Sequence, residues 1–404
     1  MTNKELNKFH RQIGVGGLVL NNYEKSLVNE VLDSSQLTYG PKSKKFEKDF
    51  ALKHQCNHGL FMNSGTSALH VALAALKERN NWSDGDEVIV PAVTFVATSN
   101  VVLHNNLKPI FVDVELETYN LDPTKIEEKI TEKTRAIMPV HLLGLPASMG
   151  PINDLAKKYN LSVVEDSAEC MFAKYKGKSV GSLGDIGCFS TYVAHFLVTG
   201  VGGFATTNDK HLAEDMRSLM NHGRDGIYIS STDDQNLEGD ALNEVIDKRF
   251  SFVHLGHSFR CTELEAAIGI GQLERSDEIV DRRVEIANYF TSSLNKYSED
   301  LQLPFCPEDR THTYMLYGLM LKNKKPKTDI VQYLEALNIE TRDLLPLINQ
   351  PIYRKLFGNM DDEYPIATNI NNSGFYIGCH SYMTDDEVEF VIKAIGSYFE
   401  QNSK

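Results

Sequence analysis

No stretch of the 404-residue sequence approaches the roughly 20 consecutive apolar residues that cross a bilayer. The first residues, MTNKELNKFHRQIG, are polar and lack the apolar centre of a secretory leader. Six cysteines, Cys56, Cys170, Cys188, Cys261, Cys306 and Cys379, stand apart with no C-x-x-C pair and no zinc spacing. Free thiols in a reducing cytoplasm are therefore expected, and no metal centre or iron–sulfur cluster. Positive charge is also short: Lys plus Arg is 41 against 55 for Asp plus Glu, a formal charge of −14. That balance argues against a nucleic-acid binder, which would carry a basic stripe. A further absence is local. There is no lysine between Lys178 and Lys210.

Hydrophobic residues make up 42% and charged residues 24%, the proportions of a folded globular chain, and this excludes wholesale disorder. In the first half, apolar runs alternate with amphipathic segments. SGTSALHVALAALKERN from Ser64 reads as a helix, DEVIVPA and KPIFVDV (Lys108–Val114) as strands, and Asp122-Pro123-Thr124 as the start of a charged helix TKIEEKI. RAIMPVHL reads as a strand, MGPINDLAKKYN as a helix and LSVVEDSAE as a strand. Strands alternating with helices imply βαβ units, a mostly parallel sheet with helices on both faces, and a ligand beyond the carboxyl ends of the strands.

From Cys261 the pattern changes. TELEAAIGIGQLERSDEIVDRRVEIANYFTSSL reads as one long helix or two in tandem, leading into a smaller α+β unit. That unit holds strand-like TYMLYGLML, a turn at Lys322–Lys327, and a last helix DDEVEFVIKAIGSYF capped by Thr384. The expected division is a large domain with an N-terminal arm over 1–260, then a linking helix and small domain over 261–404. A polar stretch from Gly223 to Gly256 reads as a long loop, and long loops are often functional.

Three segments carry chemistry. Asn63-Ser64-Gly65-Thr66-Ser67 opens a helix, where backbone N–H groups favour an anion, although a Ser before a helix is more often a simple cap. Val163-Val164-Glu165-Asp166-Ser167-Ala168-Glu169 puts carboxylates directly after a buried strand. Gly187-Cys188-Phe189-Ser190 leads through His195 to Thr199-Gly200-Val201-Gly202-Gly203, whose glycines permit close approach.

In series with PAVTFVATSN, PVHLLG and FRCTELEAAIGIGQLE, these segments resemble the DegT/DnrJ/EryC/StrS sugar aminotransferase family. The resemblance runs from about Gly40 to GCHSYMTDDEVEFVIKAI. It implies an aspartate aminotransferase-like fold, pyridoxal or pyridoxamine 5'-phosphate as cofactor, and a nucleotide-sugar substrate with an amino-acid donor such as glutamate. It also implies a homodimer with shared active sites. By the same likeness, Gly65, Thr66 and Ser190 hold the cofactor phosphate, Phe95 stacks on the ring, Asp166 pairs with the ring nitrogen, and Glu169, where many members have Gln, lies near the ring hydroxyl. Ser258, in Gly256-His257-Ser258-Phe259-Arg260, replaces the Asn that completes the partner subunit's phosphate site. Arg224, Arg249 and Arg342 are substrate candidates that could equally be surface salt-bridging residues.

The family's covalent lysine stands five residues before the first glycine of a TGEGG segment. Here that position is His195, and Val201 replaces the acidic residue. An imidazole cannot form a Schiff base, so the cofactor is expected to be held without a covalent bond. The same exchange marks the family's NDP-4-keto-6-deoxyhexose 3-dehydratases, and 224–260 lacks the cysteines of their iron–sulfur form, which leaves the form typified by the GDP-4-keto-6-deoxymannose 3-dehydratases. The likeness implies a lyase in deoxysugar and lipopolysaccharide O-antigen biosynthesis with His195 as acid and base. Two alternatives stay open at this point: an aminotransferase that makes a 4-amino sugar, and a non-catalytic relative.

Overall fold

The computed structural model describes residues 6–225, 236–322 and 324–402. Its main sheet has seven strands: β1 (His58–Met62), β2 (Glu87–Pro91), β3 (Lys108–Val112), β4 (Thr134–Ile137), β5 (Ser162–Asp166), β6 (Ile186–Ser190) and β7 (Gly203–Thr207). They lie in the order β1-β7-β6-β5-β4-β2-β3. The run from β3 to β6 is parallel, and β7 is antiparallel to both its neighbours.

Side-chain alternation explains why helices cover both faces. Val88, Val90, Ala136 and Val164 enter the core on one face. Their chain neighbours Ile89, Ile137 and Val163 enter a separate core on the other, against Met149 and Ile152 of the helix Met149–Tyr159. The helix Gly65–Arg79 packs on the first face across β5, β6 and β7.

A four-stranded antiparallel sheet forms from β8 (Leu301–Gln302), β9 (Leu316–Leu321), β10 (Thr341–Asp343) and β11 (Gly374–Gly378), in the order β8-β9-β11-β10. Its core joins Tyr317, Leu319, Phe375 and Ile377 to Phe290, Val391 and Ile395. Ile13 of the N-terminal arm belongs to this core and bridges to Ile339. Thr384 caps the last helix reciprocally with Glu387: the Glu387 N–H donates to the Thr384 hydroxyl at 3.3 Å, and the Thr384 N–H to the Glu387 carboxylate at 2.9 Å.

Two local expectations change, and one open alternative is settled. The segment after Asp122 is not a full helix but two 3-10 turns, Pro123–Lys125 and Glu127–Lys129. The Pro fixes the first turn, and the buried residue Ile126 sits between them. The polar stretch 223–256 is not all loop: it contains the helix Gly239–Lys248, while 226–235 lies outside the described residues. The region after Cys261 is two helices, Glu263–Glu274 and Ser276–Leu294, parted at Arg275, whose guanidinium bonds the buried Glu24.

Candidate active site

A cavity of about 360 Å³ opens where β5 and β6 end and the helix Gly65–Arg79 begins. Gly65, Thr66, Phe95, Asp166, Glu169, Ser190 and His195 all line it. A second cavity of about 420 Å³ shares Thr94, Phe95, Leu345 and Tyr376 with the first, and Arg342 lies on its wall.

The floor is an anion cup. Ser64 caps the helix by accepting from the Ser67 N–H at 3.0 Å. This leaves the N–H groups of Gly65 and Thr66 with no acceptor among the described residues, at the positive end of the helix. Glycine is required on both sides of this cup. A Cβ on Gly65 would come within 2.8 Å of the Ser190 Cβ, and one on Gly203 within 2.3 Å of the Gly65 nitrogen.

Asp166 ends β5 and is 4% exposed. Its carboxylate accepts from the Thr98 hydroxyl at 2.7 Å and from the Ala168 N–H at 3.2 Å. Thr98 in turn shares a 2.7 Å hydrogen bond with Thr94. Burial raises the Asp166 pKa above the ordinary aspartate value, against the lowering effect of these bonds. Glu169 accepts from the Leu143 N–H at 2.9 Å. Burial first, and then the Asp166 charge, push it up to about 7, with the Leu143 bond opposing. Phe95 presents an exposed ring (59%) at the cavity wall, just ahead of the helix Val96–His104.

His195 lies in the loop between β6 and β7. Its Nδ1 is buried without a hydrogen-bond partner. Burial, and then the charge of Arg283, lower its pKa to about 4, so the ring is neutral at physiological pH. No lysine lines either cavity among the described residues.

Ser258, Arg224 and Arg249 are not brought to this cavity within the chain. Ser258 is exposed and accepts from Arg260 at 3.2 Å. Arg224 donates to the Arg249 carbonyl and sits over the Phe250 and Phe252 rings, 5.5 and 5.3 Å from their centroids. Arg342 bonds Glu340 and the Thr341 carbonyl. Thr98 and Tyr376 were not anticipated from the sequence. Thr94 and Thr98 fall four apart in PAVTFVATSN, the spacing that puts two hydroxyls together, and that spacing was the available signal. Nothing local marks Tyr376, which reaches the cavity from β11.

The parallel sheet, the anion cup at a helix start and the buried carboxylate beside it define an aspartate aminotransferase-like enzyme, the class that works with pyridoxal phosphate. The chain belongs to the DegT/DnrJ/EryC1/StrS aminotransferase family, whose model matches residues 19–396. It is 34% identical to the GDP-perosamine synthase of Escherichia coli O157:H7, over 93% of this chain and 95% of that one. It is 28% identical to the dTDP-4-dehydro-2,6-dideoxy-D-glucose 3-dehydratase of Saccharopolyspora spinosa, over 96% of this chain and 86% of that one. The fold matches that of the E. coli GDP-4-keto-6-deoxy-D-mannose-3-dehydratase with bound hydrated PLP, at a TM-score of 0.85 and 24% identity, over 95% of this chain and all of the other (100%).

The residues present fit that cofactor. The uncapped N–H groups suit a phosphate, and the buried Asp166 carboxylate, destabilised by desolvation, suits a protonated ring nitrogen.

Proposed function

We propose that the protein is a sugar-nucleotide 3-dehydratase that holds pyridoxamine or pyridoxal phosphate without a covalent bond and removes the 3-hydroxyl of an NDP-4-keto-6-deoxyhexose. One observation carries this reading: an imidazole, His195, whose Nδ1 has no hydrogen-bond partner, lines the cavity where the family's covalent lysine stands, and no lysine lines the cavity among the described residues.

Pyridoxamine phosphate, when bound, would supply an amine for the sugar ketone and a ring to hold the electron pair released by proton removal until that pair expels the hydroxyl. Gly65 and Thr66 N–H groups and the Ser190 hydroxyl hold the phosphate. Asp166, oriented by Thr98, keeps the proton on the ring nitrogen. Phe95 covers the ring face. Glu169, poised near pH 7, can carry a proton and donate a hydrogen bond, as the Gln of many members does. His195 is neutral and takes a proton at an open ring nitrogen. Once charged in surroundings that hold its pKa near 4 it is a strong acid, suited to protonating the departing hydroxyl. Arg342, on the wall of the adjoining cavity, faces the diphosphate.

The functional unit in this reading is a homodimer. Phe250, Phe252, Val253 and Leu255 are exposed in sequence next to Ser258, with Phe250 and Leu255 83% and 91% exposed. Such a patch is covered by a second copy, which carries Ser258, Arg224 and Arg249 toward the neighbouring cavity.

Amino transfer to the 4-ketone is the second reading, favoured by the 34% identity to a perosamine synthase. Incubation with pyridoxamine phosphate, glutamate and a panel of GDP- and CDP-4-keto-6-deoxyhexoses separates the two by product mass. A product one oxygen lighter, the 3-deoxy ketosugar, supports the proposal. An amino sugar as the sole product overturns it.

A further inference from the structure

We propose that Arg283 is a positioning residue for His195. From the helix Ser276–Leu294, its guanidinium grips the His195 carbonyl and sets a fixed positive charge behind the catalytic loop, so that the imidazole enters the reaction as an uncharged proton acceptor. The inference rests on the role of His195 above.

Arg283 is 2% exposed. A buried arginine ordinarily faces a carboxylate, because an unpaired charge away from water is costly. Arg283 forms no ion pair among the described residues, although nine other arginines do. Its bonds go to backbone carbonyls instead. Nη1 donates to Met315 at 2.7 Å, Cys379 at 3.0 Å and Tyr314 at 3.4 Å, and Nη2 donates to His195 at 3.2 Å. The guanidinium carbon also lies 4.8 Å from the centroid of the Phe196 ring, the next residue along. One side chain thus ties the His195 loop to the segments before β9 and after β11.

The guanidinium stays charged in this setting. Burial lowers its pKa only to about 10. With no carboxylate to neutralise it, its field acts on what surrounds it. His195 feels that field, after desolvation, as a force against taking a proton. His380 is depressed in the same way, by burial first and Arg283 second. Among the other ionisable groups of this region, Asp166, Glu169, Tyr192 and Tyr376 share the cavity with His195, and Cys379 and Tyr382 face Arg283. Arg282, one residue away, is turned to Glu285 and Asp385.

The arrangement suits a base that must afterwards act as an acid. A cation behind the loop makes the imidazole a weaker base and its protonated form a stronger acid, so the proton is passed on rather than kept.

The test is the His195 titration itself, read by NMR on protein labelled with 13C-histidine and loaded with pyridoxamine phosphate. The His195 signal is identified by its loss in H195N, since the chain has 13 histidines. In the unsubstituted protein the midpoint is expected well below the ordinary histidine value. In R283M it is expected to rise by about one pH unit. In R283K, which keeps the charge but not the fork, it is expected to stay low. Should R283M not fold, R283K alone decides: a midpoint risen to the ordinary value overturns the proposal. An R283M midpoint equal to that of the unsubstituted protein also overturns it and leaves Arg283 a purely structural tie. These readings do not depend on which sugar product forms, so a failure of the dehydratase reading is seen separately.

Discussion

At the scale of single residues, the proposed chemistry turns on two desolvated groups with opposite needs. Asp166 is a carboxylate that desolvation has made uncomfortable, and an incoming protonated ring relieves it. His195 is an imidazole that desolvation and Arg283 keep neutral, and an open nitrogen lets it take a proton. Replacing His195 by Lys separates binding from chemistry. In H195K an amine stands where the family's covalent residue stands. Pyridoxal phosphate is then expected to be trapped on the chain by borohydride, and dehydration to fall by about 10²–10⁴-fold, the usual worth of a positioned acid–base group. Intact mass and product mass read the two effects, and undiminished dehydration in H195K would remove His195 from the mechanism.

At the scale of elements, the site is made by the ends of β5 and β6 and the start of one helix. Their closeness depends on the absence of side chains at Gly65 and Gly203. G203A would drive a methyl to within 2.3 Å of the Gly65 nitrogen, against backbone that cannot yield cheaply. A loss of about 1–3 kcal/mol in denaturant-induced unfolding is expected, with weaker cofactor binding in a fluorescence titration. Unchanged affinity would show that the cup tolerates widening. These elements were readable because their signals are local: a Ser before an apolar helix, a β-branched run ending in Asp, a glycine cluster after a buried strand. The segment after Asp122 misled because its charged residues have helical propensity, whereas Pro123 and the burial of Ile126 tighten it into 3-10 turns. Thr98 on Asp166 and Arg283 on His195 were not readable. The first pair lies 68 residues apart and the second 88, and only the packed sheet brings them together.

At the scale of the whole molecule, six histidines, His54, His70, His195, His257, His312 and His380, are held below their ordinary value. His54, His70, His195 and His380 fall to about 4 and His312 to about 3, in each case by burial first. The unfolded chain protonates these rings near pH 6.5 and the folded chain does not, so between about 6.5 and 4 the unfolded state binds more protons. Stability should therefore fall as pH drops through that window. Asp166, Asp185 and Glu169, raised by burial, act in the opposite sense. Because the histidines are more numerous, Tm is expected to decline from pH 6.5 to pH 4 in a scanning measurement, and a flat profile would contradict the burial of these rings. The exposed 250–255 segment gives a second test at this scale. Light scattering should give twice the 45.4 kDa chain mass, and the double substitution F250D/L255D should shift the protein toward a single chain and lower turnover. A cofactor-loaded active monomer would contradict the shared site.

The most direct measurement on the central claim uses the unsubstituted protein. It is saturated with pyridoxal phosphate, reduced with borohydride, denatured, and weighed intact. The expected mass is that of the bare chain, because with His195 in the lysine's place the proposed enzyme has no covalent anchor for the cofactor. A chain heavier by one reduced pyridoxyl phosphate, mapped to any lysine, would contradict it.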